Sequence, residues 1–341
     1  MIDEEHAVLE SIIKEFASKE IEPKVKSIEV NGIDQDILQK LVSQGFLGAL
    51  ASAENGGANL DDLGYVILLR ELASSSPSIS FLVFLENSFV IKSLNNDPSI
   101  KDISIGNYLG TFAFGNLIGM KEYGKISINE GINGYLRAVF MPEAKILLID
   151  NGKGEIIKTE NCHKIIKNED QLGFRGLKFS TVELNCKDYV KTGVKTSEII
   201  RNIHLPIAAM AIGIAKGSIL KAIDYAGQRE AFMHKLKDFE PIAFNLSKAY
   251  SELEVLNNYL IEAAINRDYK KDLMIKTLAL DFAKRASKLA LQTHGGYGYL
   301  LDFGIEKFYR DSMFLSVVLG NELFDLKDLS KEIFGGEAGF I

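Results

Sequence analysis

The spacing of apolar residues changes twice along this 341-residue chain, and those changes limit the folds open to it. Up to about residue 105 the spacing is helical. Ala7, Ile12, Ile13 and Phe16 share one face until Pro23 breaks the pattern, and Leu38, Leu41 and Val42 mark a second helix ending near Gly45. Asn55-Gly56-Gly57 is a turn, and Asp61 or Asp62 is the expected cap of a helix carrying Val66, Leu69 and Leu72. Ser74-Ser75-Ser76-Pro77 separates it from another apolar helix reaching about Leu94. Between 106 and 192 the pattern is short runs of Ile, Val, Phe and Tyr set between Gly and Asn turns, at 125–129, 134–140, 146–150, 155–158 and 178–184. Asp150-Asn151-Gly152 reads as a hairpin turn. From about residue 196 the helical period returns. Pro206 suits a first turn, and Ile242, Leu246, Tyr250, Leu253, Leu256 and Leu260 form a stripe. A further helix stops at Gly295, and Leu323, Leu326, Leu329 and Ile333 mark the last. The expected fold is α+β multidomain: an N-terminal α-helical domain (1–105), a small antiparallel β domain (106–194) and a C-terminal four-helix bundle (195–341).

Net charge of −7 and a pI near 5.5 argue against nucleic acid or an anionic membrane as the main partner. The two cysteines, Cys162 and Cys186, are too few for a disulfide framework and fit no metal spacing, which suggests a reducing cytosol. Met1 leads into an acidic amphipathic stretch without the basic and apolar regions of a signal peptide. Apolar runs such as 205–215 are too short to span a bilayer. A cytoplasmic protein without membrane insertion or metal is expected.

The densest motif lies near the C-terminus. Leu291-Gln292-Thr293-His294-Gly295-Gly296-Tyr297-Gly298-Tyr299 ends a helix, with Gly295-Gly296 able to take left-handed backbone. Tyr309-Arg310-Asp311 and Leu319-Gly320-Asn321 follow. Earlier come Ala53-Glu54-Asn55-Gly56-Gly57-Ala58-Asn59-Leu60, Leu69-Arg70-Glu71-Leu72-Ala73, Gly173-Phe174-Arg175-Gly176 and Tyr225-Ala226-Gly227-Gln228-Arg229-Glu230-Ala231-Phe232. In this order the motifs closely resemble those of the acyl-CoA dehydrogenase family, across nearly the whole chain.

The resemblance implies FAD bound across a subunit interface, hence a homo-oligomer, dimer or tetramer. It also implies an acyl-CoA substrate and an electron-transfer flavoprotein as partner. Arg229 would meet the pyrophosphate of a neighbour's FAD, where a guanidinium can fork two hydrogen bonds onto phosphate oxygens. Phe232 would lie near the adenine, and Gln292, Gly295 and Gly296 would approach the same cofactor. Asn321 stands where the family has a flavin-bonding threonine; an N-cap for the last helix is the equal alternative. Tyr225 would touch substrate.

The departures concern the chemistry. Family members remove an α-proton with a glutamate held in a dry pocket while the flavin takes a β-hydride. Here Leu319 occupies the glutamate position, and Ile203 occupies the alternative position used by some members. His204 and Glu322 are the nearest substitutes. The family's Thr-Glu-Pro loop corresponds to Ala113-Phe114-Gly115-Asn116-Leu117-Ile118-Gly119-Met120. Its Trp-Ile-Thr/Ser flavin strand corresponds to Ala138-Val139-Phe140, and Met233 replaces the glycine after the Arg-x-x-Phe motif. Three functions remain open: an acyl-CoA dehydrogenase-type oxidoreductase, a flavin-dependent oxygen-using member, or a non-catalytic homologue acting as a binding or scaffold subunit.

Overall fold

The computed structural model describes residues 3–113, 124–319 and 322–336. Helices precede and follow a β region, as the two changes of period predict. The N-terminal part contains α1 (Glu4–Phe16), α2 (Val25–Asn31), α3 (Gln35–Ser43), α4 (Asp62–Ser75), α5 (Pro77–Phe84), α6 (Lys92–Leu94) and α7 (Ser99–Ser104). Aspartates start three of them. The side chains of Asp3, Asp34 and Asp61 accept from the backbone N–H of His6, Ile37 and Gly64. Between α5 and α6 the chain winds as a π-helical turn, Leu85–Ile91, with every residue buried.

The β region forms two four-stranded sheets. One has the order β1 (Gly110–Phe112), β4 (Ile146–Asp150), β5 (Glu155–Glu160), β8 (Val190–Lys195). The other has the order β2 (Gly124–Ile128), β3 (Ile132–Phe140), β7 (Phe179–Cys186), β6 (His163–Asn168). A small core that includes Ile132, Val139, Leu147, Ile157 and Val182 fills the space between them. The expected antiparallel arrangement needs a correction, because β1 runs parallel to β4, with Gly110 opposite Ile146. The chain leaves β1, builds β2 and β3 in the other sheet, and returns, so the second strand of the pair arrives in the same direction.

A second correction concerns the cysteines. Cys162 and Cys186 are joined in a disulfide. Antiparallel pairing sets His163 opposite Leu184, which brings the residues at the strand ends to a Cα separation of 5.0 Å. Their separation of 24 in sequence gave no hint of this.

The C-terminal part contains α8 (Thr196–Asn202), α9 (His204–Gln228), a two-strand ribbon of β9 (Glu230–Ala231) and β10 (His234–Lys235), α10 (Glu240–Ile265), α11 (Tyr269–His294), α12 (Glu306–Val318) and α13 (Glu322–Phe334). Contrary to the reading of short apolar runs, Thr196–Gln228 is long and apolar enough to cross a membrane. It serves as the central core helix, with 89% of its apolar window buried. Its close fit to α4 depends on glycine: a Cβ at Gly217 would stand 2.1 Å from the Ser74 carbonyl oxygen and 2.7 Å from the Phe308 ring. Gly217→Ala must therefore push two helices apart and should cost about 1–3 kcal/mol of stability in urea unfolding. An unchanged midpoint would contradict this packing.

Candidate functional site

Helix α9 ends where Arg229 turns to extended backbone, its N–H still donating to the Tyr225 carbonyl at 2.8 Å. The next six residues form a tight hairpin closed by Leu236 N–H on the Arg229 carbonyl. Its turn residues, Phe232 and Met233, take φ of +51° and +67°, as a two-residue hairpin of this hand requires. Both point into solvent, 85% and 97% exposed. The Arg229 guanidinium lies 5.3 Å from the Tyr297 ring, within the 3₁₀ turn Gly295–Tyr299 that follows α11. Tyr225 stacks on His294 at 4.2 Å and meets Phe303 edge-on. One face of its ring is therefore taken by its own chain.

The fold thus gathers Tyr225, Arg229 and the Gly295–Tyr299 turn, which are distant in sequence. Gly295 has φ of +57° and closes α11 as expected; Gly296 has no positive φ, a correction to the reading of both as left-handed. Gln292, Gly295 and Gly296 are exposed and line a cleft with Lys288, Leu291, Tyr299, Tyr309 and the ion-paired Glu306 and Arg310. A Cβ at either glycine would meet nothing within 4 Å. No carboxylate pairs with Arg229 among the described residues. An open surface with an exposed guanidinium and bare backbone fits the phosphate end of a dinucleotide.

The residues expected to do the chemistry are placed differently. Leu319 caps α12 and is 6% exposed; Ile203 joins α8 to α9 and is 5% exposed. Both are buried, and neither brings a carboxylate. Gly320 and Asn321 lie outside the described residues, as do 114–120 of the loop that starts at Ala113. Glu322 opens α13, and its side chain is likewise outside them.

His204 is neither a cap nor a surface residue. It is buried at the start of α9, with its ring 5.5 Å from that of Tyr269 and its Nδ1 4.0 Å from Asp325 Oδ1. Neither ring nitrogen finds a hydrogen-bond partner among the described residues. Burial first, then the charges of Lys276, Arg201 and Arg267, push its pKa down to about 3. So weak a base is poorly matched to an α-proton.

Phe140, matched in sequence to the family's flavin strand, packs into the core. It lies at the end of β3 and is fully buried. Its ring lies 4.7 Å from Phe81 of α5, 4.7 Å from Phe179 of β7 and 6.0 Å from Phe314 of α12. Phe174 stacks on Phe81 at 4.7 Å and meets Phe314 at 5.6 Å. These rings form a close-packed part of the core between α5, β3, β7 and α12. Sequence reading missed this cluster, because its members come from five separate segments and only Phe140 and Phe174 stood at motif positions.

It also missed Glu86, fully buried in the π-helical turn, whose carboxylate accepts from Gly110 N–H at 3.1 Å. Burial raises its pKa well above the usual carboxylate range, against the pull of the Gly110 N–H. The only signal in the sequence was an acid inside an apolar run.

Comparison with known proteins places these features in context. A family model described as acyl-CoA dehydrogenase, N-terminal domain, matches residues 3–98, and one described as acyl-CoA dehydrogenase, C-terminal domain, matches residues 198–334. An acyl-CoA dehydrogenase of Bacillus subtilis is 25% identical over 98% of this chain and 99% of its own length. The caffeyl-CoA reductase-Etf complex subunit CarC of Acetobacterium woodii is 27% identical, covering 93% of this chain and 95% of itself. Among solved structures, a glutaryl-CoA dehydrogenase from Mycobacterium smegmatis in complex with FADH2 superposes with a TM-score of 0.87. It is 15% identical, covering 99% of this chain and 97% of its own, so it bears on the fold alone.

The buried imidazole predicts a pH dependence. The unfolded chain takes up the His204 proton near the ordinary 6.5, whereas the folded chain resists until about 3. The stability from keeping it neutral is complete above 6.5 and is lost as pH falls towards 3. His204→Leu should therefore lose less stability than wild type between pH 7 and pH 4, by roughly 2–4 kcal/mol. Urea unfolding at both pH values measures it, and parallel losses would remove His204 from the acid response.

Proposed function

Because this chain belongs to the acyl-CoA dehydrogenase family, we propose that it is a member with very slow or absent α,β-dehydrogenation of acyl-CoA thioesters, acting instead as a nucleotide-holding binding or scaffold subunit. One observation carries this: both positions that hold the family's base are buried aliphatic side chains, Leu319 and Ile203. General base catalysis typically contributes roughly 10²–10⁴-fold, and the nearest described substitute, His204, is too weak a base to replace it.

FAD is the cofactor of the family to which the matched domain models belong. Arg229, Phe232, Gln292, Gly295 and Gly296 would hold its phosphate and adenine end, with Asn321 as a further candidate. Arg229 and Phe232 would reach a neighbouring copy, which makes the protein a dimer or a dimer of dimers through the bundle. The membership of CarC in an Etf complex supports an electron-transfer flavoprotein, or an active relative, as partner.

A second reading, a working dehydrogenase with a displaced base, is favoured by Glu86: a buried carboxyl with a raised pKa is what such a base needs. Assay with short and medium acyl-CoAs and an artificial electron acceptor separates the two. The expected result is no turnover above background. Robust turnover that disappears in Glu86→Gln would establish the second reading instead.

Two measurements test the nucleotide site and the assembly. Arg229→Ala should weaken FAD binding by roughly 1.5–3 kcal/mol, the worth of one charge-assisted bond. Unchanged affinity in calorimetry would remove Arg229 from the site. Light scattering should give a dimer or larger, and a monomer at micromolar concentration would contradict the shared site.

A further inference from the structure

We propose that His6 is a proton-operated fastener that ties the first turns of α1 to the start of α4, and that this end of α1 comes free as pH rises past neutrality. The ring of His6 is only 13% exposed and lies between two aspartates. Its Nδ1 is 2.7 Å from Asp3 Oδ1, and its Nε2 is 2.9 Å from Asp61 Oδ1. Asp3 caps α1 and Asp61 caps α4, and the same two oxygens accept from the backbone N–H of His6 and Gly64. An ionised carboxylate can only accept, and a neutral imidazole has one N–H to give. Both contacts therefore require the doubly protonated, positively charged ring. Among the described residues no other cation pairs with either aspartate. Once the proton leaves, one ring nitrogen turns a lone pair on a carboxylate, and the two aspartates repel with no cation between them.

Little else holds this end of the helix. Among residues 3–9 only His6 and Leu9 are not exposed. Leu9 rests over Gly64, where an added Cβ would stand 3.2 Å from its Cδ2. The apolar anchors come later, at buried Ile13 and at Phe16, which meets Phe46 edge-on at 5.4 Å. Glu10 pairs with Arg70 at 3.0 Å and Lys14 at 2.5 Å. The remaining charges in the first turns are Glu4 and Glu5 on α1, and Asp62 on α4, which Arg267 of the α10–α11 turn holds at 2.8 Å. Partial burial opposes charge on the ring, but the bonds to Asp61 and Asp3 outweigh it and raise its pKa above the ordinary 6.5. The docked helix thus binds the proton more tightly than the released one. The fastening is complete below 6.5 and is lost as pH rises through the raised value. This is the reverse of His204, whose contribution fails on the acid side. Release frees the first turns of α1 while Ile13 and Phe16 keep the rest in place, so the change is local.

The test compares the full-length protein at about pH 6 and pH 9. Hydrogen exchange over residues 4–10, corrected for the intrinsic rate, should lose protection by at least about threefold at the higher pH, while α9 keeps its own. In His6→Gln the same segment should show one corrected rate at both pH values. Asp61→Asn still caps α4, because an amide oxygen accepts from the Gly64 N–H, but it removes one of the charges that hold the proton. NMR titration of the His6 ring should give a midpoint above 6.5 in the wild type and a lower one in Asp61→Asn. A wild-type midpoint at or below 6.5, or a loss of protection in His6→Gln equal to that of the wild type, would overturn the proposal. So would a raised midpoint with unchanged protection. If either variant does not fold, the wild-type midpoint and exchange decide alone.

Discussion

Arg70 lies in the middle of α4 with only 2% of its surface exposed, and its guanidinium binds three neighbours. Nε meets Glu71 at 2.7 Å, Nη2 meets Glu10 of α1 at 3.0 Å, and Nη1 donates to Asn257 of α10. Lys216 of α9 closes on the same Glu71 at 2.6 Å. Four helices drawn from both ends of the chain thus share one buried charge network. Such a network is weak evidence of net stability, but it tolerates no missing partner: removing one typically costs about 3–5 kcal/mol, since a charge is left buried. It fixes how α4 lies on α9, and that placement lets Gly217 meet the Ser74 carbonyl. The position of α5, and of Phe81 on it, follows from the same contact.

The family signature here marks architecture more than chemistry. Arg310 and Asp311 belong to a quoted motif, and both work as struts. Arg310 binds Glu29 of α2 at 2.9 Å and the Leu172 carbonyl at 3.0 Å. Asp311 is fully buried and accepts from Phe174 N–H. Burial and the nearby Glu29 raise its pKa to about 7 against the pull of Lys307. Residues kept for such reasons can persist after the reacting groups have gone, so a strong match in order and spacing is compatible with Leu319 and Ile203 where an acid belongs.

Much of the fold was legible in the sequence because helix and strand periods are local. Asp61 was one of two foreseen caps, and the hairpin at Asp150-Asn151-Gly152 formed with Asn151 N–H on the Glu155 carbonyl. Two strands were not legible. β6, His-Lys-Ile-Ile-Lys-Asn, is an exposed edge, and β1 has three residues. Of the site, the surface end around Arg229 and Gly295 could be anticipated from motifs. The phenylalanine group could not, since Phe81 and Phe314 are brought together only after two helical layers and a sheet have packed.

The Cys162–Cys186 link has a consequence beyond holding two strands. β6 is the outer strand of its sheet, and its free side offers unpaired backbone groups to any passing extended chain. Lys164 and Lys167 make that side unattractive to an apolar strand, and the covalent tie at its start keeps β6 from peeling away to expose β7 beneath it. Reduction would leave the bundle and its helices untouched, yet it would turn a guarded margin into one that can fray, and fraying is the first step by which sheet proteins recruit one another into aggregates.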